Sequence, residues 1–423
     1  MSNKILLKNG YLIDGTGSSG KANSSLLISN GKIQAVGNVP AEMITIDTEI
    51  VDCVGTVIMP GLIDAHLHLF GRREMSHTIQ ICEDPILRGM RCVMDAWRLI
   101  DAGFTTVRDA TSGNGIHLRN CINEGAIIGP RVIASGLALS QTGGHGELMH
   151  SIPIEFANRG LSCRVADGVS EVRKAAREQI RAGADYLKIY TTGGVMSENG
   201  SSQECQYTVE EIAACTQEAK NRGLFTAAHA QGTRGIRNAI LGGVDIIDHG
   251  VYMDQECLDL MLEHGCSLMP TISIFPIIRD KGLSCGIPDY KVEKAKSLIE
   301  IQRKSFKMCY DAGVLCGLGS DFLSDAAMTP LGDNIIEFVN YVEIMNLSLI
   351  ETVKCATHNN AKILGIGDVT GDLSVGKDAD ILIVKDAILK DVKTISDRKN
   401  INKIYRKGAE VPRMDNIPML RRK

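Results

Sequence analysis

Two histidines, His66 and His68, stand one residue apart in the apolar stretch "PGLIDAHLHLFG". In a β-strand, residues i and i+2 project from the same face, so both imidazoles point the same way, and Asp64 points with them. Two buried imidazoles side by side are unfavourable unless their nitrogen atoms find partners. A divalent cation would satisfy both rings. The alternative is two core histidines, each bonded to a backbone carbonyl, but the position of the pair at a strand end favours the cation.

Residues of metal-binding type recur in other apolar stretches. His229 ends "LFTAAHA", His249 ends "VDIIDHG" and Asp321 ends "VLCGLGSD". Lys188 lies within "DYLKIY", although a lysine is rarely buried without a partner. Burial lowers the pKa of a lysine, so a neutral amine there could take up CO2 as a carbamate, an anionic ligand able to bridge two metal ions. Such nitrogen and oxygen ligands suit zinc, with manganese, cobalt or iron as alternatives.

Helix-like segments that each precede a short apolar strand predict the framework that positions these residues. The alternation runs from residue 60 to about residue 321, as in "SEVRKAAREQIRAG" before "ADYLKIY", and predicts parallel βα units. Thr208 and Glu211 form a T-x-x-E capping box at the start of one helix. We count eight strands, and the span from His66 to Asp321 is close to the roughly 250 residues of a (β/α)8 TIM-like barrel. A doubly wound sheet would give the same alternation.

Both ends of the chain have the pattern of short strands separated by turns. Asn30-Gly31, in "ISNGKIQAVG", is a strong hairpin signal, and "GDLSVGKDADILIV" returns to strands near the other end. We therefore predict an α/β protein in which residues 1–58 and 366–423 form one small β-sandwich domain and residues 59–365 form the (β/α)8 barrel.

Composition narrows the classes of partner. The net charge is only -4 and aromatic residues make up 4% of the chain, which argues against a nucleic-acid surface. No run of about 18 apolar residues is present to span a membrane. The 13 cysteines include no C-x-x-C pair, a usage typical of a reduced compartment. We expect a cytoplasmic homo-oligomer that acts on a small molecule, without nucleic-acid or membrane partners.

Taken in order, "VIMPGLIDAHLHL", "GPRVIASG", "YLKIY", "IDHG", "GSD" and "GDLSVGKDADILIV" resemble the amidohydrolase superfamily over nearly the whole chain. The resemblance implies a binuclear metal centre with the ligands His66, His68, Lys188, His229, His249 and Asp321. The first two histidines would bind one metal ion and the last two the other. A carboxylated Lys188 would bridge the two ions, and Asp321 would bind the first one.

Such a centre implies hydrolysis of an amide or peptide bond. Two divalent cations about 3.5–4 Å apart lower the pKa of a bridging water toward ~7, which gives hydroxide at neutral pH. One cation would polarise the substrate carbonyl and hold the oxyanion after the hydroxide attacks. Asp321 would take the proton of the metal-bridging hydroxide and pass it to the leaving nitrogen.

Within the superfamily, "LSQTGGHGE" and "TTGGV" resemble the branch of Xaa-Pro dipeptidases (prolidases) and carboxypeptidases for basic residues. This resemblance implies that His145 contacts the substrate carboxylate or the oxyanion; the alternative is a glycine-loop histidine that faces solvent. Several prolidase-like relatives have a tyrosine two residues past the metal-binding histidine, where this chain has Gln231. Arg234 could supply a cation instead, or be an exposed, solvated arginine. The candidate substrate-binding residues are thus His145, Gln231 and Arg234.

Other residues are expected to support the site or to lie outside it. Arg108-Asp109 ends the second strand and either supports the metal site or forms a structural ion pair. The loops "GRREMSHTIQICEDP", "VMSENGSSQECQYT" and "FPIIRDKGLSCGIPDYKVEKA" are predicted to cover the strand ends and to decide specificity. His358, in "CATHNNAKILG", is expected to pack in a helix near the end of the barrel, and no ligand spacing is found at His77, His117, His150 and His264.

Three functions remain open on the sequence. The first is hydrolysis of a dipeptide such as Xaa-Pro, or of an N-acyl amino acid, at two metal ions. The second is a hydrolase or deaminase of a cyclic amide or amidine, like imidazolonepropionase, with one metal and usually without the bridging lysine. The third is a non-catalytic assembly protein, which is disfavoured because all six candidate ligand positions hold competent residues.

Overall fold

The computed structural model describes residues 4–414 apart from 77, 78, 80, 81, 148, 149, 152, 154–161 and 199, so His77 and parts of the first two specificity loops lie outside the described residues. The fold is mixed α/β. The strands are β1 (Lys4–Leu12), β2 (Lys21–Ser29), β3 (Lys32–Gly37), β4 (Glu49–Asp52), β5 (Thr56–Pro60), β6 (Leu62–Leu67), β7 (Phe104–Asp109), β8 (Arg131–Ala134), β9 (Ala138–Ser140), β10 (Cys163–Val165), β11 (Leu187–Tyr190), β12 (Thr226–Ala230), β13 (Ile246–His249), β14 (Ser267–Met269), β15 (Ile381–Lys385), β16 (Ile401–Arg406) and β17 (Ala409–Glu410).

The helices alternate with the strands through the middle of the chain. They are α1 (Pro85–Asp101), α2 (Gly115–Asn123), α3 (Gly168–Ala182), α4 (Val209–Lys220), α5 (Thr233–Leu241), α6 (Gln255–His264), α7 (Ile274–Lys281), α8 (Asp289–Asp311), α9 (Ile336–Glu343), α10 (Leu349–Lys354) and α11 (Asn360–Ile363). In the described part of the chain, no helix combines the length and the apolar character that crossing a membrane requires.

The chain forms two compact units. Unit 1 comprises Met1–Asp64, Ala96–Thr106 and Ile335–Lys423, and unit 2 comprises Ala65–Asp95 and Val107–Asn334. Both ends of the chain belong to unit 1, whereas every residue that we predict to bind a metal belongs to unit 2. The division into domains 1–58 plus 366–423 and 59–365 stays a prediction.

Unit 1 contains strands from both chain ends. Its described strands form one hydrogen-bonded sheet in the order β17-β16-β15-β5-β1-β2-β3, with β4 paired to β1. The buried core of this unit includes Leu7, Ile58, Ile381 and Tyr405. The sheet joins the first and last segments of the chain, and the two-layer sandwich stays a prediction.

The hairpin predicted at Asn30-Gly31 is confirmed. Strand β2 ends at Ser29 and β3 begins at Lys32, and the two strands pair antiparallel. Asn30 and Gly31 have φ values of 50° and 77°. A two-residue type I′ turn requires positive φ at both positions, which asparagine and glycine tolerate best.

Unit 2 carries most of the parallel strands in the middle of the chain, and β6 and β7 each have residues in both units. Strands β11, β12, β13 and β14 pair in parallel in chain order, and β6, β7 and β8 form a second set. Seven of the eight predicted strand positions are therefore strands. The short strands β9 and β10 were not predicted, and they extend the β11 side of the sheet.

The eighth predicted strand, "VLCGLGSD", is an extended segment that pairs through isolated bridges. Leu268 of β14 bridges to Cys316 in parallel, and Leu67 of β6 bridges to Phe322 in parallel. Backbone hydrogen bonds accompany these bridges, from Gly317 N to Leu268 O at 3.0 Å and from His68 N to Phe322 O at 2.8 Å. This segment thus contacts β14 at one end and β6 at the other.

The capping box predicted at the start of α4 is confirmed. The Thr208 side chain accepts a hydrogen bond from Glu211 N, and the Glu211 carboxylate accepts one from Thr208 N at 2.8 Å. The box satisfies two backbone N–H groups that a helix start otherwise leaves without partners. It fixes where α4 begins and hence the entry to β12, the strand that carries His229.

Candidate metal centre

The first two predicted ligands converge on Asp321. His68 Nε2 lies 3.0 Å from Asp321 Oδ1, and His66 Nε2 lies 3.4 Å from the same oxygen atom. Asp321 N donates a hydrogen bond to His66 O at 2.7 Å, so the two segments are held together by backbone as well as by side chains. The 255 positions that separate these residues in sequence are bridged by the parallel contact between β6 and the segment that ends at Asp321.

His249 completes a group with the chemistry of a metal site. One ligand atom each from His66, His249 and Asp321 lies within 4.8 Å of the others. Two imidazole nitrogens and a carboxylate oxygen are a donor set that suits zinc and similar divalent ions. His249 and Asp321 both have positive φ, 74° and 58°, which is strained for residues other than glycine. Strained backbone of this kind clusters at functional sites.

His229 lies on the other side of His249. The centroids of their rings are 4.5 Å apart, and His229 Nε2 lies 3.3 Å from Gly193 O. The ring of His145 stacks on His229 with centroids 4.2 Å apart. The structure therefore brings all four predicted histidine ligands and His145 into one cluster of rings.

Lys188 is buried and contacts Asp248, a residue that the sequence reasoning did not single out. Lys188 Nζ and Asp248 Oδ2 form a close ion pair. Asp248 Oδ1 also accepts a hydrogen bond from Arg108 Nη2 at 2.6 Å and lies 3.0 Å from His66 Nδ1. A signal was available, since Asp248 stands in the fully buried strand segment "IIDH" and an aspartate is almost never fully buried unless paired.

Burial sets the charge state of the rings. It lowers the pKa of His145 and of His249 to about 3, and lowers that of His229 well below its ordinary value. The burial of Lys188 likewise lowers its pKa to about 8, against the opposing attraction of Asp248. Neutral imidazoles are the form that binds metals, and a lysine with this pKa has a substantial neutral fraction near neutral pH.

Asp321 differs from the buried histidines because its surroundings favour the charged form. Its burial raises the pKa, but hydrogen bonds with His66 and His68 outweigh that effect and hold the pKa well below its usual value. The side chain is therefore a carboxylate at neutral pH. An anion beside neutral imidazoles is what a bound cation requires.

His145 lies in the glycine-rich loop after β9 and is held by the loop after β11. His145 Nδ1 lies 2.7 Å from Ser197 Oγ. A Cβ atom on Gly194 would come within 2.4 Å of His145 Cε1, so this loop approaches the ring as closely as it does because residue 194 is glycine. Lys294 of α8 donates a hydrogen bond to Gly194 O at 2.9 Å and fixes the loop from its other side. His145 is thus partly buried and held within the cavity lining, and it is not a solvated loop residue.

A cavity of about 760 Å³, including its opening to solvent, surrounds these residues. One part of the lining, the polar half, contains all six predicted metal ligands. It also contains His145, Tyr190 and Gln231. The apolar half is lined by Phe70, Met75, Val195, Met196, Ile274, Phe275, Ile278 and Leu323. Five of these apolar residues, Met75, Val195, Met196, Phe275 and Ile278, come from the three segments that the sequence predicts to be loops. The third segment is largely helical, and Phe275 and Ile278 lie on α7.

The remaining candidates are placed as follows. Gln231 lines the cavity, and its Oε1 atom is buried without a hydrogen-bond partner. Arg234 is exposed in the first turn of α5 and is not among the cavity-lining residues. Asp64 is buried and is also outside that lining. Arg108 does not bond to Asp109 but to Asp248 beside His66, which favours support of the site over a structural pair.

Neutral imidazoles and a carboxylate at the carboxyl ends of parallel strands are the features of a metal-dependent hydrolase. The amidohydrolase family model matches residues 57–411. An ochratoxinase from Aspergillus niger is 31% identical over 419 residues, which covers 94% of this chain and 85% of that relative. The solved structure of a prolidase complexed with N-methylphosphonate-L-proline matches with a TM-score of 0.88 at 30% identity, covering 96% of this chain and 99% of that one.

The chain belongs to the prolidase-like branch of the amidohydrolase family. It is a hydrolase that acts on amide bonds. A further relative bears on the second function considered above. An imidazolonepropionase from Rhizobium rhizogenes is 23% identical over 378 residues, which covers 85% of each chain.

Proposed function

We propose that this protein hydrolyses the amide bond of a small substrate, either a dipeptide such as Xaa-Pro or an N-acyl amino acid. One observation carries the proposal: Asp321, ionised by its contacts with His66 and His68, lies with His249 in the lining of a cavity. The similarity to a prolidase with N-methylphosphonate-L-proline bound supports this substrate class.

The donor set fits divalent cations, as the cluster of two imidazoles and one carboxylate indicates. We propose two ions, zinc first and otherwise manganese, cobalt or iron, held by His66, His68, Lys188, His229, His249 and Asp321. Lys188 would serve as its carbamate, formed from CO2 by the neutral amine. Bound cations of this kind supply Lewis acidity, which activates water and polarises an amide carbonyl.

The side chains of this protein do the remaining work. The Asp321 carboxylate accepts a proton from the attacking water and delivers it to the nitrogen that leaves. His145, neutral and fixed by Ser197, presents its free ring nitrogen to the carbonyl oxygen or to the substrate carboxylate. Gln231 contributes a carboxamide whose oxygen has no hydrogen-bond partner among the described residues. Such a buried polar atom gains a hydrogen bond when substrate binds.

We also propose that unit 2 is a (β/α)8 barrel. The parallel bridges from the segment 314–322 to β14 and to β6 support closure of the sheet. The position of the polar cluster at strand ends agrees with where this fold carries its active sites. A cytoplasmic homo-oligomer, with a β-sandwich domain built from both chain ends, completes the proposal.

A cyclic amide or amidine hydrolase with a single metal ion is the second candidate. His66, His249 and Asp321 alone form a compact three-ligand set, and Lys188 is engaged by Asp248 and not by a histidine ligand. The imidazolonepropionase relative supports the same alternative.

The test is amino-acid release from a library of dipeptides and N-acyl amino acids. Protein reconstituted with zinc or manganese in bicarbonate is compared with Lys188→Ala, and with Lys174→Ala at an exposed lysine of α3 as the matched control. We expect release by the wild type and the control, and a loss of at least about 100-fold in Lys188→Ala, since even residues behind metal ligands account for 10- to 100-fold effects.

Metal content separates the outcomes. Two metal ions per chain in the wild type, with release that needs Lys188, support the proposal. One metal ion per chain, with turnover of cyclic amides that is insensitive to Lys188→Ala, would establish the second candidate instead. A folded wild type that binds no metal and releases nothing would overturn both.

A further inference from the structure

The loop that follows β11 is closed on itself at its base. We call residues 193–198 and 200–205 the β11 loop. Thr192 and Cys205 form an antiparallel bridge at the point where the two ends of this loop meet. The bridge fixes the ends of the loop through the backbone, so the position of its middle depends on contacts with other elements.

Two lysine side chains of α8 hold the middle of the β11 loop by its carbonyl groups. Lys294 Nζ donates hydrogen bonds to Gly194 O and to Gly200 O, both at 2.9 Å. Lys291 Nζ donates one to Met196 O at 2.8 Å. An ammonium group has three donors, so one lysine can hold two separate carbonyl groups. Hydrogen bonds from a charged donor are roughly twice as strong as neutral ones, so Lys294 fixes the curvature of the loop.

The β11 loop passes this constraint on to His145. Ser197 Oγ accepts a hydrogen bond from Gly194 N at 3.1 Å and lies 2.7 Å from His145 Nδ1. Gly194 therefore receives Lys294 at its carbonyl oxygen and gives its N–H group to Ser197, which contacts the ring. Among the described residues, Lys294 is outside the cavity lining and His145 is part of it. The hydrogen-bonded chain thus runs from α8 to a ring inside the cavity.

The same chain decides which nitrogen of His145 carries the hydrogen atom. Ser197 is only 4% exposed, and its hydroxyl has two hydrogen-bond partners among the described residues, Gly194 N and His145 Nδ1. Because an amide N–H only donates, the hydroxyl hydrogen goes to Nδ1. In the neutral imidazole the ring hydrogen then lies on Nε2, which makes this atom a hydrogen-bond donor.

We propose that Lys294 is a positioning residue for amide hydrolysis, because it holds the β11 loop where Ser197 binds His145 Nδ1. His145 then presents an Nε2–H group to the oxygen atom of the substrate. Without Lys294 the loop loses two hydrogen bonds from a charged donor, the hydroxyl leaves the ring, and the second tautomer becomes populated. That tautomer offers a lone pair where the oxyanion needs a donor. The inference rests on the proposed function and adds a residue that acts on it from outside the cavity.

A double-mutant cycle tests whether Lys294 acts through Ser197. It uses metal-reconstituted protein and the best substrate of the dipeptide and N-acyl amino acid library. We expect Lys294→Met and Ser197→Ala each to lower kcat/KM about 10-fold, the value of one hydrogen bond to the ring. The loss should fall mainly on kcat, because a donor to a developing oxyanion acts in the transition state. The double variant should be no slower than the slower single variant, since both changes break one chain.

Two further variants separate positioning from general damage. Lys294→Arg keeps a charged donor for both carbonyl groups and should retain most of the wild-type rate. Lys296→Met, at an exposed lysine of the same helix, is the matched control and should match the wild type. A double variant that is about 100-fold slower than the wild type, the product of two independent losses, would overturn the role of Lys294 through Ser197.

Nitrogen NMR of protein that is labelled with ¹⁵N at its histidines and reconstituted with zinc gives a readout that does not need turnover. His145→Ala identifies the two ring signals. We expect a hydrogen-bearing Nε2 and a bare Nδ1 in the wild type and in Lys296→Met, and signals shifted toward a tautomer average in Lys294→Met and in Ser197→Ala. A wild type that hydrolyses nothing would overturn the proposed function, whereas these signals would still support the positioning chain. A hydrogen on Nδ1 in the wild type, or a wild-type spectrum in Lys294→Met, would overturn the chain itself.

Discussion

The polar half of the cavity lies on strand ends, whereas the apolar half lies on the loops that follow the strands. In the polar half, His66, His249 and Asp321 project from segments that are hydrogen-bonded to their neighbours in parallel. In the apolar half, Met75 and Met196 belong to loops and Phe275 belongs to α7, and the positions of all three depend on side-chain packing. Side chains on a sheet keep a fixed spacing, which chemistry at a metal centre needs, while loops can change without disturbing that spacing.

The polar half also depends on a network of buried charges. Asp248 contacts His66, Arg108 and Lys188, and all of these side chains are buried. Burial raises the pKa of Asp248, but the attraction of Arg108, Lys188 and His66 outweighs this effect. The pKa of Asp248 is therefore held well below its usual value. The strand-end half should therefore respond to charge removal with a loss of stability, and the loop half with smaller effects on activity.

Among the variants that test this contrast, Asp248→Asn is expected to cause the largest loss of stability. Removing this charge leaves Arg108 and Lys188 buried without their counter-ion, and loss of one partner of a buried pair costs about 3–5 kcal/mol. Urea unfolding of metal-free protein measures the change. Asp368→Asn, at an exposed aspartate, is the matched control and should stay within about 1 kcal/mol of the wild type. Equal stabilities of the two variants would remove the contrast between the two halves.

A smaller, pH-dependent effect is expected at Asp109, which ends β7. Its burial raises the pKa from 3.8 to about 6, although hydrogen bonds from Ser112 and from Leu69 N oppose the shift. Between these two values the folded state holds a proton that the unfolded state has lost, so this group makes stability fall as pH rises from about 4 to about 6. The full contribution is about 3 kcal/mol, from the size of the shift.

Asp109→Asn tests the direction in which stability changes with pH. Asparagine can accept from Leu69 N and donate to Ser112 Oγ, and it does not titrate. Relative to the wild type, the variant should gain stability as pH rises from 4 to 6 and keep a constant advantage above pH 6. Denaturant titrations at several pH values measure the difference. A difference between the two proteins that is independent of pH would show that Asp109 is already ionised in the folded protein at pH 4.

The smallest effect is expected in the loop that supports His145. Ser197→Ala removes the hydroxyl that lies 2.7 Å from His145 Nδ1. We expect kcat/KM to fall about 10-fold, the value of one neutral hydrogen bond, with little change in the unfolding free energy. Ser201→Ala, in the same loop but exposed, is the control. A loss of stability as large as that of Asp248→Asn would mean that the loop is part of the buried framework and not an addition to it.

Several features were determined by the sequence itself. The spacing of His66 and His68 places both on one face because the side-chain period of a strand is two residues. Asn30-Gly31 predicts a hairpin and Thr208 with Glu211 predicts a helix start, because both are local hydrogen-bonding or dihedral preferences. The six candidate ligand positions follow from the resemblance of ordered motifs to one family, and the structure brings their side chains to one cavity.

Other features were decided only by the tertiary structure. The pairing of Asp248 on β13 with Arg108 on β7, 140 residues away in sequence, joins strands of two different hydrogen-bonded sheets. The approach of Arg72 to Met75 and Phe70, and the meeting of their loops with Met196 and Phe275, depends on packing between segments that have no common periodicity. Local preferences act over a few residues, so they fix elements and their faces. Which side chains touch across the cavity is set by the fold as a whole.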